Sequence, residues 1–124
     1  MSLFGVDLVT PVPLHPRRLR QRGFNQASLL ARRLGVSLNL PVHYSSMDRS
    51  RWTAPQMGLS RRQRAENVRG AFVVRDPDAV RGKVVLLVDD VLTTGETVNQ
   101  CVRGLKKSEA REVLVLTVAR TVAL

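Results

Sequence analysis

Apolar residues recur along this chain with two periods, and the way the two alternate predicts a fold class. Asp7–Val12 (DLVTPV) is a short apolar, β-branched run ending at Pro13, which suits a buried strand. From Phe24 to Leu34 the apolar positions are Phe24, Ala27, Leu30, Ala31 and Leu34, one face of a helix that Gly35 would close. Asn25 or Ser28 shapes its start. Pro41–Ser45 suits a second short strand, Ser60–Asn67 a short helix capped by Ser60, and Ala71–Val74 another strand. Asp76–Gly82 reads as a turn-rich connector. Val84–Val88 is five consecutive apolar residues, the pattern of a strand buried on both faces. Thr97–Lys107 sets Val98, Val102 and Leu105 on one helical face, and Val113–Ala119 is the last strand. Strands alternating with helices predict an α/β domain, a mostly parallel sheet of about five strands with helices on both faces.

Residues 46–59 (SMDRSRWTAPQMGL) have no sustained period and contain Pro55 and Gly58, so they read as a long loop of the kind that often serves as a lid. At 124 residues the chain suits one domain, taken here as residues 4–124, with Met1-Ser2-Leu3 set aside as an added start. No apolar run approaches the roughly 20 residues needed to cross a bilayer. The start also lacks a basic-then-apolar leader, so a cytoplasmic location without a membrane partner is the expectation. The single cysteine, Cys101, excludes an intramolecular disulfide and a cysteine-built zinc cluster. It falls beside Val102 and Leu105 in a helix, where a small buried apolar role is expected. Aromatics make up only 4%, so the core must come from Val, Leu and Ala.

Charge changes the picture. The net charge is +10, and seventeen of the twenty basic residues are arginine. Residues 15–69 hold twelve arginines against two acids, Asp48 and Glu66. A field of that sign attracts polyanions, and arginine suits bidentate capture of phosphate oxygens. Solvated helix faces also gather arginine, so composition leaves both readings open.

The chemistry concentrates at residues 84–97 (VVLLVDDVLTTGET). Ligands of open α/β sheets bind beyond the carboxyl ends of the strands, which is where Asp89 and Asp90 fall. Adjacent carboxylates repel unless a cation or hydrogen-bond donors relieve them; ribose hydroxyls and Mg²⁺ both do so. Next, Thr93, Thr94, Gly95, Glu96 and Thr97 turn into a helix, exposing backbone N–H groups at its positive end. Gly95 permits close approach or a positive φ, and the threonines add hydroxyl donors. Hydrogen bonds to a charged group contribute roughly 1.5–3 kcal/mol each, so several would anchor a phosphate without a lysine. Neither Gly-x-x-x-x-Gly-Lys-Ser/Thr nor Gly-x-Gly-x-x-Gly occurs.

This string resembles the phosphoribosyl pyrophosphate signature of type I phosphoribosyltransferases. By that likeness Asp89 and Asp90 hold the ribose hydroxyls with Mg²⁺ nearby, and Thr93–Thr97 wrap the 5′-phosphate, with Glu96 pointing outward. Val12–Pro16, Arg18, Arg22-Gly23-Phe24-Asn25-Gln26 and the run through Gln56, Leu59, Arg64, Asn67, Gly70, Ala71 and Phe72 are similar to the competence protein F (ComF) branch. In it Leu14–Gly23 corresponds to the pyrophosphate loop, with Arg18 and Arg22 as the clamp, while Arg17 and Arg20 fall outside the pattern. Residues 46–59 correspond to a hood over the site. Trp52 could stack on a base there or pack within the hood; Gln56, Arg64 and Asn67 are substrate or structural candidates. His15 suits a turn residue or a pyrophosphate contact. Members of the branch typically carry an N-terminal four-cysteine zinc ribbon; this chain has none, and no protein-built metal site is expected.

The resemblance implies displacement of pyrophosphate from ribose C1 by an acceptor that no residue here identifies, a pentosyl transfer with no assigned catalytic residue. Two other classes stay open: a non-catalytic module of DNA uptake binding single-stranded DNA, and a sensor that keeps the phosphate loop without turnover. A homodimer is the assembly considered.

Overall fold

A computed structural model describes residues 5–13, 25–44, 47–49, 72–92 and 95–120. Its elements are β1 (Leu8–Pro11), α1 (Gln26–Leu38), β2 (Met47–Arg49), β3 (Phe72–Val74), α2 (Pro77–Val80), β4 (Val84–Leu92), α3 (Glu96–Lys107) and β5 (Glu112–Arg120). Strands β1, β4 and β5 form a parallel sheet with β4 in the middle, and β2 and β3 form a separate antiparallel pair. The α/β class is as the sequence pattern predicts. The five strands, however, divide between two sheets.

Successive residues of a strand point to opposite faces, and β4 is apolar on both. Val85 and Leu87 join Leu8 and Val12 of the β1 segment, Val80, and Val98, Cys101 and Leu105 of α3 in one buried cluster. Val88 faces the other way, with Val9 and Ala31 of α1; Leu86, Leu30, Leu34, Leu40 and Val42 pack around them. A slip of one residue would exchange these two sets, so the register is fixed by packing on both sides. Cys101 is fully buried within the first cluster, as its neighbours suggest.

Helix α1 differs from its expected bounds in an instructive way. It runs through Gly35 to Leu38 and ends on Asn39, which takes the left-handed φ of 55° and donates its N–H toward Gly35 and Val36 carbonyls. Gly35 is therefore a packing residue, not a terminator. A Cβ built there would lie 2.4 Å from Val42 Cγ2 and 3.0 Å from the Leu40 carbonyl oxygen. That close approach lets the returning chain lie against β1: Val9 donates to Pro41 O and accepts from His43 N, both at 2.9 Å. The buried Thr10 hydroxyl donates to His43 O at 2.8 Å. The expected strand at Pro41–Ser45 is thus a single parallel bridge, Val9 with Val42.

Three further differences concern segment ends. Met47–Arg49, expected within the long loop, pairs with Phe72–Val74. Asp76–Gly82 contains the one-turn helix α2, which Pro77 opens. The central strand continues past Val88 to Leu92, so Asp89 and Asp90 lie in the strand and not after it. The helix expected at Ser60–Asn67 lies outside the described residues. Among the described residues, no helix is long and apolar enough to cross a membrane.

Candidate functional site

The carboxyl ends of β1, β4 and β5 share one edge of the sheet, because all three strands run the same way. Two helices are presented at that edge. α1 is the first helix after β1, and α3 starts a few residues after β4.

Asn25 fixes the first of these. Its side-chain oxygen accepts from Ala27 N at 3.0 Å, capping α1, while its amide nitrogen donates to Val12 O at 3.2 Å. Val12 N in turn donates to Val88 O at 2.8 Å. A continuous set of hydrogen bonds therefore runs from the central strand, through the end of β1, to the N-terminus of α1. Asn25 appears in the sequence as a helix start; its second bond, back to the sheet, needs the fold to bring Val12 beside it.

On the central strand, Asp89 and Asp90 are both half-buried at the carboxyl end. The Asp90 N–H donates to Asp89 Oδ1 at 2.9 Å. Strand alternation separates the two carboxylates: Asp89 follows Val85 and Leu87 on the face of α3, and Asp90 follows Leu86 and Val88 on the face of α1. Each acid therefore belongs to a different helix of the pair. Asp89 is in register with Thr117 of β5, which puts a hydroxyl side chain beside it on the same face. Nothing in the sequence marks Thr117, since only the pairing register selects it.

Helix α3 opens at Gly95, whose φ of 84° and ψ of 0° lie in the left-handed region. A residue with a Cβ pays for that conformation, so glycine suits the turn. Gly95 also brings no side-chain cap, and its carbonyl accepts from Asn99 N at 2.8 Å to begin the helix. The first-turn N–H groups receive no side-chain cap from that residue, and a helix end of this kind attracts anions. Thr97, half-buried, lies in this first turn, and Glu96 is the first helical residue. At the far end Lys106 and Lys107 complement the negative pole of the dipole.

The structure thus gathers Asp89, Asp90, Gly95, Glu96 and Thr97 at one strand-to-helix junction. Thr93 and Thr94 lie outside the described residues. So do Arg18, Arg22, His15, Trp52, Gln56, Arg64 and Asn67.

Among the described residues, no group of three or more His, Cys, Asp or Glu side chains stands close enough to hold a metal ion. A single carboxylate at this edge, Asp89 on one face of β4 or Asp90 on the other, still fits Mg²⁺ in the way that ion is usually held beside nucleotides. It keeps several waters and is bound through one or two carboxylates together with ligand phosphates.

Comparison with known proteins agrees with this geometry. The family model for the phosphoribosyl transferase domain matches residues 19–123. The chain is 36% identical over 115 residues to Competence protein F of Haemophilus influenzae, covering 92% of this chain and 50% of that protein. It is 39% identical to the DNA utilization protein YhgH of Escherichia coli (93% and 50%) and 30% identical to Competence protein ComFC of Bacillus subtilis (92% and 45%). The chain spans about half the length of these curated relatives.

Among solved structures, glutamine phosphoribosylpyrophosphate amidotransferase from B. subtilis superposes with a TM-score of 0.61 at 24% identity, over 90% of this chain and 22% of that one. Phosphoribosylpyrophosphate synthetase from Mycobacterium smegmatis gives 0.56 at 17%, over 98% and 30%. At those identities the likeness speaks for the fold alone. The chain belongs to the phosphoribosyl transferase domain family, in its competence protein F-like branch.

Proposed function

We propose that the chain binds phosphoribosyl pyrophosphate at the β4–α3 junction and transfers its phosphoribosyl group to an acceptor. The observation that carries this reading is the junction itself: two half-buried acids at the end of the central strand, then a left-handed glycine opening a helix. Thr93, Thr94, Gly95 and Thr97, with the first N–H groups of α3, would take the 5′-phosphate. Asp89 and Asp90, on opposite faces of the strand, would accept from the two ribose hydroxyls, which themselves project from neighbouring carbons. Arg18 and Arg22 would clamp the diphosphate bidentately.

In the reaction a nucleophile of the acceptor, usually a ring nitrogen, forms a bond to ribose C1. The C1–O bond to pyrophosphate breaks, and pyrophosphate leaves with the electron pair. A Mg²⁺ held by Asp89 or Asp90 together with the ligand's phosphates would supply charge neutralisation on the diphosphate. The chain's own contribution is positioning and electrostatic stabilisation, with no general base required of it. Residues 46–59, with Trp52, Gln56, Arg64 and Asn67 in or near them, are candidates for excluding water and contacting the acceptor. Pyrophosphate release in the presence of a panel of purine, pyrimidine and pyridine bases tests this reading. Release that depends on one acceptor supports transfer, and none with any acceptor, despite donor binding, would make the domain a sensor.

A second reading has its own support. Relatives of this chain bear the names Competence protein F and DNA utilization protein, and the net charge is +10. Both favour single-stranded DNA as a partner, engaged mainly through arginine and phosphate. With aromatics at 4%, base stacking would contribute little.

A further inference from the structure

We infer that Thr117 is a positioning residue of the donor site, whose hydroxyl donates to the Asp89 carboxylate and holds it toward the ribose. The inference rests on binding of phosphoribosyl pyrophosphate at the β4–α3 junction, and it adds to that site a residue from a different strand, β5.

The composition of β5 singles this residue out. Between Glu112 and Arg120 the strand reads Val-Leu-Val-Leu-Thr-Val-Ala, so Thr117 is its one polar interior residue. The register is equally selective. From Val85 with Val113 to Val88 with Leu116, every β4–β5 pair is apolar on both sides, and the next pair is Asp89 with Thr117. The hydroxyl of β5 and the first acid of β4 therefore meet at one level of the sheet.

Both side chains also lie on one face. Asp89 alternates with Leu87 and Val85, which are buried in the cluster that includes Val98, Cys101 and Leu105 of α3. Thr117 alternates with Val115 and Val113, and Val113 packs against that same cluster. The two residues are each half-buried. Neighbouring strands run about 4.8 Å apart, so the side chains of a register pair stand within reach of one hydrogen bond. The Asp89 carboxylate already accepts from its own strand, through the Asp90 N–H to Oδ1 at 2.9 Å. A carboxylate has sites for about four donors, and one from β5 fixes it from the side.

The chemistry of threonine suits this task. Valine at 117 would have the same shape, and branched apolar residues fill most of the strand, so folding gives no reason for a hydroxyl at this level. A carboxylate that must be held in one orientation does. A neutral donor orients Asp89 without cancelling its charge, as a lysine or arginine would. The carboxylate thus stays an acceptor for ribose hydroxyls.

The test is calorimetric titration of the chain with phosphoribosyl pyrophosphate and Mg²⁺, with the Tm of each free variant measured beside it. Thr117→Val removes the hydroxyl and keeps the shape. It should weaken binding about tenfold, the size of one hydrogen bond to a charged group, while the Tm of the free chain does not fall. Thr117→Ser keeps the hydroxyl and should bind close to wild type. The loss should also run through Asp89: in an Asp89→Ala background Thr117→Val should cost little more, whereas in Asp90→Ala its effect should persist in full. Wild-type binding that Thr117→Val leaves unchanged overturns the role of Thr117 and spares the donor site. So does a Thr117→Ser chain as weak as Thr117→Val, or a loss that is undiminished in Asp89→Ala. A wild-type chain with no affinity for phosphoribosyl pyrophosphate overturns the donor site and this role together.

Discussion

The Asn25 side-chain amide donates to the carbonyl of Val12 at 3.2 Å while its oxygen caps α1 through Ala27 N. One residue thus ties the helix start to the end of the strand beside the central one. Asn25→Ala removes both bonds. Losing a cap of this kind costs about 0.5–2 kcal/mol, and the midpoint of urea unfolding should fall accordingly. Asn25→Asp keeps the acceptor and loses the donor to Val12. It should retain most of the cap's contribution yet loosen the helix from the sheet edge, so donor binding should suffer more than stability. Equal stability losses in the two variants would contradict a separate role for the Val12 bond.

Gly35 offers a test of the packing that holds α1 down. Alanine is normally favoured over glycine inside a helix by roughly 1 kcal/mol. Here its Cβ would meet Val42 and the Leu40 carbonyl. Gly35→Ala should therefore destabilise the chain by about 1–3 kcal/mol, the usual cost of overpacking. Shortening the neighbour, in Gly35→Ala/Val42→Ala, should recover part of that loss. A stabilised Gly35→Ala would mean that the helix and the Leu40–Val42 segment do not approach as described.

At Gly95 the issue is conformation. Its φ of 84° is costly for any other residue, by roughly 1–2 kcal/mol for alanine. Gly95→Ala should lower the melting temperature and also abolish the stabilising effect of phosphoribosyl pyrophosphate, because relaxing the turn moves the N–H groups. A variant that loses stability but keeps the full ligand effect would restrict Gly95 to making the turn.

Affinity for single-stranded DNA should fall steeply as salt rises, with a slope in log–log form of about −0.7 for each phosphate neutralised. Filter binding or fluorescence anisotropy over a salt series measures it. A flat response would exclude arginine–phosphate contacts as the source of any binding.

How much of this was legible in the sequence depended on how local each feature is. The apolar runs at Val84–Val88 and Val113–Ala119, and the i, i+3, i+4, i+7 spacing of Val98, Cys101, Val102 and Leu105, follow from burial along one element, and their strands and helix form there. The glycine at position 95 was readable for the same reason, since a turn into a helix constrains one residue at a time. Features that depend on distant partners were not readable. Gly35 looked like a terminator until Val42 came against it. Asp89 and Asp90 have the sequence of loop residues, and β4 gains its last register pairs from β5, at Thr117 and beyond. Pro41–Ser45 has the composition of a strand, but only Val42 forms a bridge to β1.

The central claim is that the β4–α3 junction binds phosphoribosyl pyrophosphate, and a thermal shift measures it most directly. A ligand at a hundredfold excess over its Kd stabilises the folded chain by about 2.7 kcal/mol. In this size range each kcal/mol moves Tm by about 2–8 °C, so the effect is large. Phosphoribosyl pyrophosphate with Mg²⁺ should raise Tm by several degrees, and Asp90→Ala or Thr94→Ala should abolish the rise. An unchanged Tm in the wild-type chain, or an equal rise in both variants, would contradict the assignment.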